Sequence, residues 1–146
     1  MSRFVLMAAA LLTPGAAWAQ AVDFELRTVS GSPVVFAGAA SEPVPGIPRR
    51  QLVAIRNEAK KPVLAVIFEQ SVADGGGISI IALDRVEIVF PPGGKRRVSV
   101  DVADVSQKLH SGELPGRPVL TLVAVEFLDG SQWNAPTGPG PSRRLE

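Results

Sequence analysis

From Val22 to Ser30 apolar and polar side chains alternate, with Val22, Phe24 and Leu26 on one side and Asp23, Glu25 and Arg27 on the other, the period-two signature of a half-buried strand. Gly31-Ser32-Pro33 breaks the pattern before the short run Val34-Val35-Phe36. Gly38 to Pro48 then carries Pro43, Pro45 and Pro48; proline cannot donate to a ladder, so this stretch predicts a loop or an irregular edge. Gln51 to Arg56 passes through the polar turn Asn57–Pro62 into Val63–Phe68, two β-branched runs whose spacing predicts an antiparallel pair. Val63–Phe68 is apolar on both faces, which places it centrally between covered surfaces.

Further along, Ala73-Asp74-Gly75-Gly76-Gly77 predicts a flexible link. Ile78–Leu83 and Val86–Phe90 fit either two short strands or one strand bent around Asp84-Arg85. Pro91-Pro92-Gly93-Gly94 is a sharp turn, after which Val98, Val100 and Val102 alternate with Ser99 and Asp101. The one candidate helix is Val105 to His110, with Asp104 as its cap and Gly112 closing it. Pro118 to Leu128 is the longest predicted strand, and Asp129-Gly130 signals a two-residue hairpin into Ser131-Gln132-Trp133. Seven or eight short strands with one short helical turn and no internal repeat predict an all-β fold, an antiparallel β-sandwich.

The first nineteen residues follow a different rule. A charged start at Arg3, an apolar run from Phe4 to Leu12 and the small residues around Ala17-Trp18-Ala19 have the form of a cleaved secretory signal. The run is too short to span a bilayer, no twin-arginine pair is present, and the chain has no cysteine to carry a lipid. The expected product is periplasmic or secreted, with no membrane anchor after cleavage. The domain organisation is then a signal peptide over 1–19, a sandwich over 20–135, and a disordered Pro/Gly-rich tail over 136–146.

At Ala54-Ile55-Arg56-Asn57-Glu58-Ala59-Lys60-Lys61-Pro62-Val63, followed by Ile88-Val89-Phe90-Pro91-Pro92-Gly93-Gly94 and the alternating valine strand, the chain resembles the immunoglobulin-like domains of exported bacterial proteins. FxLYD-type domains and the N-terminal domain of pilus-assembly chaperones share this layout. The resemblance spans roughly Leu52 to Val102 and implies an immunoglobulin-like sandwich. It departs from those families in having room for one domain and no tyrosine, so neither the FxLYD signature nor a tyrosine corner can exist.

Composition narrows the chemistry. Without Arg3 the net charge falls from +1 to zero, so no long-range field favours nucleic acid. With no cysteine and with both methionines inside the signal, His110 is the sole remaining soft-metal ligand, and no metal or other cofactor is expected. His110-Ser111-Gly112-Glu113 lacks a nucleophile elbow and reads as a surface histidine at a helix end. Asp74, Asp101 and Asp104 lack a calcium-loop spacing. Glu126, set among apolar residues, is the carboxylate whose surroundings matter most, either as an acid or as a partner for an arginine.

The expectation is therefore a non-catalytic binding or structural module without catalytic residues. Its candidate contact residues are Arg49, Arg50, Lys95, Arg96 and Arg97, a cationic patch if the fold unites them, and Trp133, either a lid on the core or an exposed platform. Its partner would be another exported protein, met through an open sheet edge or through the loops Gly38–Pro48 and Asp74–Gly77. Two other readings are a carboxylate-based hydrolase using Glu126 and Asp129 and a single-domain chaperone-like module that donates an edge strand.

Overall fold

Alternating valine, isoleucine and phenylalanine side chains build two facing sheets in the computed structural model, which describes residues 21–136 and 142–145. The strands are β1 (Glu25–Thr28), β2 (Val34–Phe36), β3 (Glu42–Val44), β4 (Ile47–Asn57), β5 (Val63–Asp74), β6 (Gly77–Phe90), β7 (Lys95–Asp101), β8 (Val119–Phe127), β9 (Gln132–Asn134) and β10 (Ser142–Leu145), with one helix, α1 (Ala103–His110), between β7 and β8. One sheet has the order β1-β8-β5-β6-β10, with β9 also pairing β8. The other has β2 and β3 on β4, with β7 pairing β4 as well. The result is an all-β sandwich. The strands the sequence did not anticipate are the short pieces β3 and β10, and two pairings, β1 with β8 and β6 with β10, are parallel.

Inward side chains from both layers make one core, including Val53 and Ile55 of β4, Val66 and Phe68 of β5, Val98 and Val100 of β7, and Leu120, Leu122 and Val125 of β8. Phe36 and Phe68 stack across the layers with centroids 6.0 Å apart. Burial of each such side chain contributes about 1.5–3 kcal/mol, so packing supplies the stability in a chain with no disulfide.

Several local expectations are corrected. Gln51–Arg56 and Val63–Phe68 do not pair with each other, because β4 and β5 lie in different sheets. The connection is a corner held by Asn57, whose buried side chain accepts the Ala59 N–H (2.9 Å) and donates to the carbonyls of Lys61 (3.0 Å) and Phe90 (3.4 Å). Val63–Phe68 is central as expected, bonded to β6 on one side and β8 on the other. Ala73–Gly77 is the tight tip of the β5–β6 hairpin, with Asp74 paired to Gly77 and Gly75 at φ 62°. Ile78–Phe90 is one continuous strand.

The Gly38–Pro48 segment contains β3, an irregular edge that turns through Pro45-Gly46 into β4. The helix begins at Ala103, and Asp101, not Asp104, accepts the Ala103 N–H (2.9 Å). Between β8 and β9 three residues, Leu128 to Gly130, turn inside the bond from Phe127 N–H to Ser131 O (2.9 Å), and the N–H of Gly130, at φ 89°, bonds Phe127 O (3.0 Å), the glycine supplying the left-handed position such loops require. In the segment read as a disordered tail, Ser142–Leu145 form β10 beside Gly77–Ile80. The rest of that tail from 137 onward, and the segment 1–19 read as a signal, lie outside the described residues.

Candidate functional site

The pairing of β4 with β7 decides where the sequence-predicted cations go. Gln51, Val53, Ile55 and Asn57 of β4 point into the core, as do Val98 and Val100 of β7. Arg50, Leu52, Ala54 and Arg56 therefore share the outer face with Lys95, Arg97, Ser99 and Asp101. In the ladder Arg50 opposes Asp101, Ala54 opposes Arg97, and Arg56 opposes Lys95. Arg50 and Arg56 are six residues apart, about 20 Å at the rise of an extended strand. The register thus leaves Arg50 at one end of this face and Lys95 and Arg97 at the other, where Arg56 joins them; Arg49 and Arg96 fall at the alternate positions of their strands and are not part of it.

Each end has its own electrostatics. Arg49 Nη2 lies 2.6 Å from Asp101 Oδ2, a bond that raises the guanidinium pKa further above its ordinary value. Burial works against ionisation of Asp101, but the Arg49 hydrogen bond, the Ala103 N–H and the charges of Arg49 and Arg50 outweigh it and hold the carboxyl below its usual range. Asp101 also ties the sheets together: its N–H donates to Asp84 Oδ2 (2.9 Å) and its carbonyl accepts from Gln70 Nε2 (2.7 Å). Arg50 Nη1 reaches Ser99 Oγ at 3.4 Å.

At the other end Arg97 reaches across β4 to Glu42 of β3 (2.5 Å), and Arg56 bonds Glu58 (2.6 Å). Both ion pairs are solvent-exposed, so each contributes about 0–1 kcal/mol. Lys95 and Arg96 are exposed with no carboxylate partner among the described residues. This end carries more cations than carboxylates.

Beside Arg49, the β3–β4 turn faces α1 across an open groove of about 360 Å³ lined by Gly46, Ile47, Pro48, Ala103 and Ser106. Ile47 is 48% exposed there. This is the Pro-rich segment expected to make contacts, now placed against the helix.

The remaining sequence candidates have structural partners. Trp133 opposes Val125 and packs, half-buried, against the core. Glu126 Oε2 accepts from Arg85 Nε (2.7 Å) and Nη2 (2.6 Å). Asp129 accepts from the Ser131 hydroxyl (2.5 Å) and backbone N–H (2.9 Å) and from Lys61 Nζ (3.1 Å), and these bonds, the hydroxyl's foremost, push its pKa down to about 2. Lys61 also bonds Ser131 Oγ and sits 4.4 Å from the centroid of the Phe127 ring, so this Ser-Lys-Asp group clasps the β8–β9 loop to the β4–β5 corner. His110 is exposed at the end of α1. No group of three or more His, Cys, Asp or Glu side chains is placed to hold a metal among the described residues, and no helix among them is long and apolar enough to cross a membrane.

Sequence reasoning missed Arg56 and Glu42 as members of the cationic face. Arg56 is the outward residue at the end of the alternation Gln51–Asn57, which is a usable signal. Glu42 follows from nothing short of the β3–β4 register. Comparison of the chain with protein-family models, curated proteins and solved structures finds no match.

Proposed function

We propose that this protein is an exported, non-catalytic binding module with an immunoglobulin-like sandwich, and that it engages an acidic surface of another exported protein through the Arg56, Lys95 and Arg97 end of the β4–β7 face, with the exposed Arg96 on its flank. One observation carries the reading: Arg56 and Lys95 stand directly opposite each other in the ladder. Like charges at opposed positions destabilise a strand pair, and Arg97 adds a further cation two residues along. A residue pairing that works against the fold is most economically explained by something outside the fold that it serves.

The layout supports the immunoglobulin-like part. Strands β9-β8-β5-β6 in one sheet against β2-β4-β7 in the other follow the order in which such domains set their G, F, C and C′ strands against A, B and E. The Ile47 groove and Arg49 provide a second contact region at the opposite end of β4.

Capture from a periplasmic extract tests the reading. The mature chain, a Lys95→Ala/Arg96→Ala/Arg97→Ala variant and an Arg49→Ala/Arg50→Ala variant are compared at equal loading. Salt-sensitive recovery of a defined acidic protein by the mature chain, lost in the triple variant and retained in the double one, is expected. Equal recovery by all three would remove the cationic cluster from the account.

A further inference from the structure

We propose that two copies of this chain join edge to edge through β6, antiparallel and centred on Val86. Strand β6 is bonded along its whole length to β5, but on its other edge only Gly77–Ile80 meet β10. From Ala82 to Val89 that edge has no strand partner among the described residues, so a row of backbone donors and acceptors is open to pairing.

The side chains along this open run alternate cleanly. Val86 and Ile88 pack against the core, whereas Leu83, Arg85, Glu87 and Val89 are exposed on the outer face. Leu83 and Val89 are 58% and 56% exposed, bulky apolar groups on an edge of the kind that monomeric sheets usually avoid. Asp84 is turned to the other side, accepting the Asp101 N–H.

The outer-face order Leu, Arg, Glu, Val is complementary to its own reverse. With Val86 opposite its twin, Leu83 of one copy faces Val89 of the other, and Arg85 faces Glu87. The two-fold axis repeats both contacts, which makes the interface isologous. Centring on Arg85 sets arginine against arginine, and centring on Glu87 sets glutamate against glutamate. An in-register parallel pair also puts like charges together. A one-residue slip would carry the exposed set to the other face. On the outer face, only the Val86-centred register sets unlike charges together and apolar groups together.

Neighbouring features fit the same register. The partner's Pro91 would fall opposite Ile81, and proline has no N–H to extend the ladder, so pairing stops before the Gly77–Ile80 stretch that β10 occupies. Arg85 is already held by its two bonds to Glu126. Glu87, 69% exposed and only loosely tied to its own Arg85 at 3.4 Å, is free to turn to the partner's guanidinium. The contact is short, so the dimer depends on concentration.

Cysteine cross-linking of the mature chain, which has no cysteine of its own, reads the register directly. Opposed side chains sit about 4.5–5.5 Å apart at Cβ, so a Leu83→Cys/Val89→Cys variant is expected to oxidise to a covalent dimer. Leu83→Cys alone and Val89→Cys alone are expected to stay mainly monomeric. In sedimentation velocity, the mature chain's mass is expected to rise toward a dimer with concentration, and Glu87→Arg and Arg85→Glu are each expected to remain monomeric alone and to form a heterodimer when mixed. Because Arg85→Glu also breaks the bond to Glu126, Leu83→Lys, at an exposed site with no side-chain bond, serves as a second disrupting variant. Monomer mass at every concentration, or single-cysteine variants cross-linking as fast as the double one, would overturn the proposal.

Discussion

Replacing Asn57 with alanine should destabilise this domain more than any other single change at a turn. The side chain is fully buried and makes three hydrogen bonds, to the Ala59 N–H at 2.9 Å, the Lys61 carbonyl at 3.0 Å and the Phe90 carbonyl at 3.4 Å. Alanine leaves all three backbone groups without that partner. An orphaned buried polar group costs about 1–3 kcal/mol; the 3.4 Å bond contributes little, so the expected loss is about 3 kcal/mol. For a domain of this size that is a fall in Tm of about 12 °C.

Urea and thermal unfolding followed by the fluorescence of Trp133 would measure it, with the slope m unchanged if the native and unfolded states keep their compactness. Glu58→Ala is the control, since it removes only an exposed ion pair with Arg56 and should change stability by at most about 0.5 kcal/mol. Asn57→Asp should be worse than alanine at neutral pH, because it aims a buried carboxylate at two carbonyl oxygens, and should recover as acidification restores a donor. An Asn57→Ala loss below about 1 kcal/mol, or one equal to the control, would refute the corner as described.

Further predictions follow from other contacts. The low pKa of Asp129, about 2 against an ordinary 3.8, means that the unfolded chain binds the proton first on acidification. The stability this carboxylate confers is complete above about pH 4 and is lost as pH falls toward 2; in Ser131→Ala the NMR titration midpoint of Asp129 should move up toward the ordinary value. Gln51 clamps the Val22 N–H (2.6 Å) and carbonyl (3.0 Å), so Gln51→Leu should cost about 2 kcal/mol and speed amide exchange at Val22 to Leu26 well before that of β5. Gly94→Ala would place a Cβ 2.9 Å from the Pro91 carbonyl oxygen and should lower Tm, whereas Gly116→Ala, with nothing nearer than 3.9 Å, should not.

Much of the architecture was legible because period-two alternation survives wherever one face is buried. Val22 and Phe24, and Val98, Val100 and Val102, were each set on one face by the sequence alternation, and all lie in the core. Partner choice was not legible: Gln51–Arg56 and Val63–Phe68 look like a hairpin, but the short polar turn between them is equally able to cross from one sheet to the other, and the Asn57 bonds that decide it depend on Phe90, thirty-three residues away. The three glycines at Gly75–Gly77 suggested flexibility, although the same freedom of φ suits a tight hairpin. Composition identified the cations of the candidate surface, but their grouping was set by a register in which Arg50 and Lys95 stand at opposite ends. Glu126 and Asp129 stood out as acids, yet their Arg85 and Ser131 partners come from strand pairing and loop geometry respectively.

Whether Arg56, Lys95 and Arg97 meet an acidic partner is read by a fluorescence-anisotropy titration of a labelled oligoglutamate peptide with residues 20–146 at low and at physiological salt. Saturable binding is expected, weakening with salt and falling at least about tenfold, a loss of about 1.4 kcal/mol, in the Lys95→Ala/Arg96→Ala/Arg97→Ala variant. Binding of equal strength by residues 20–146 and by the triple variant, or no binding by either at low salt, would rule this out.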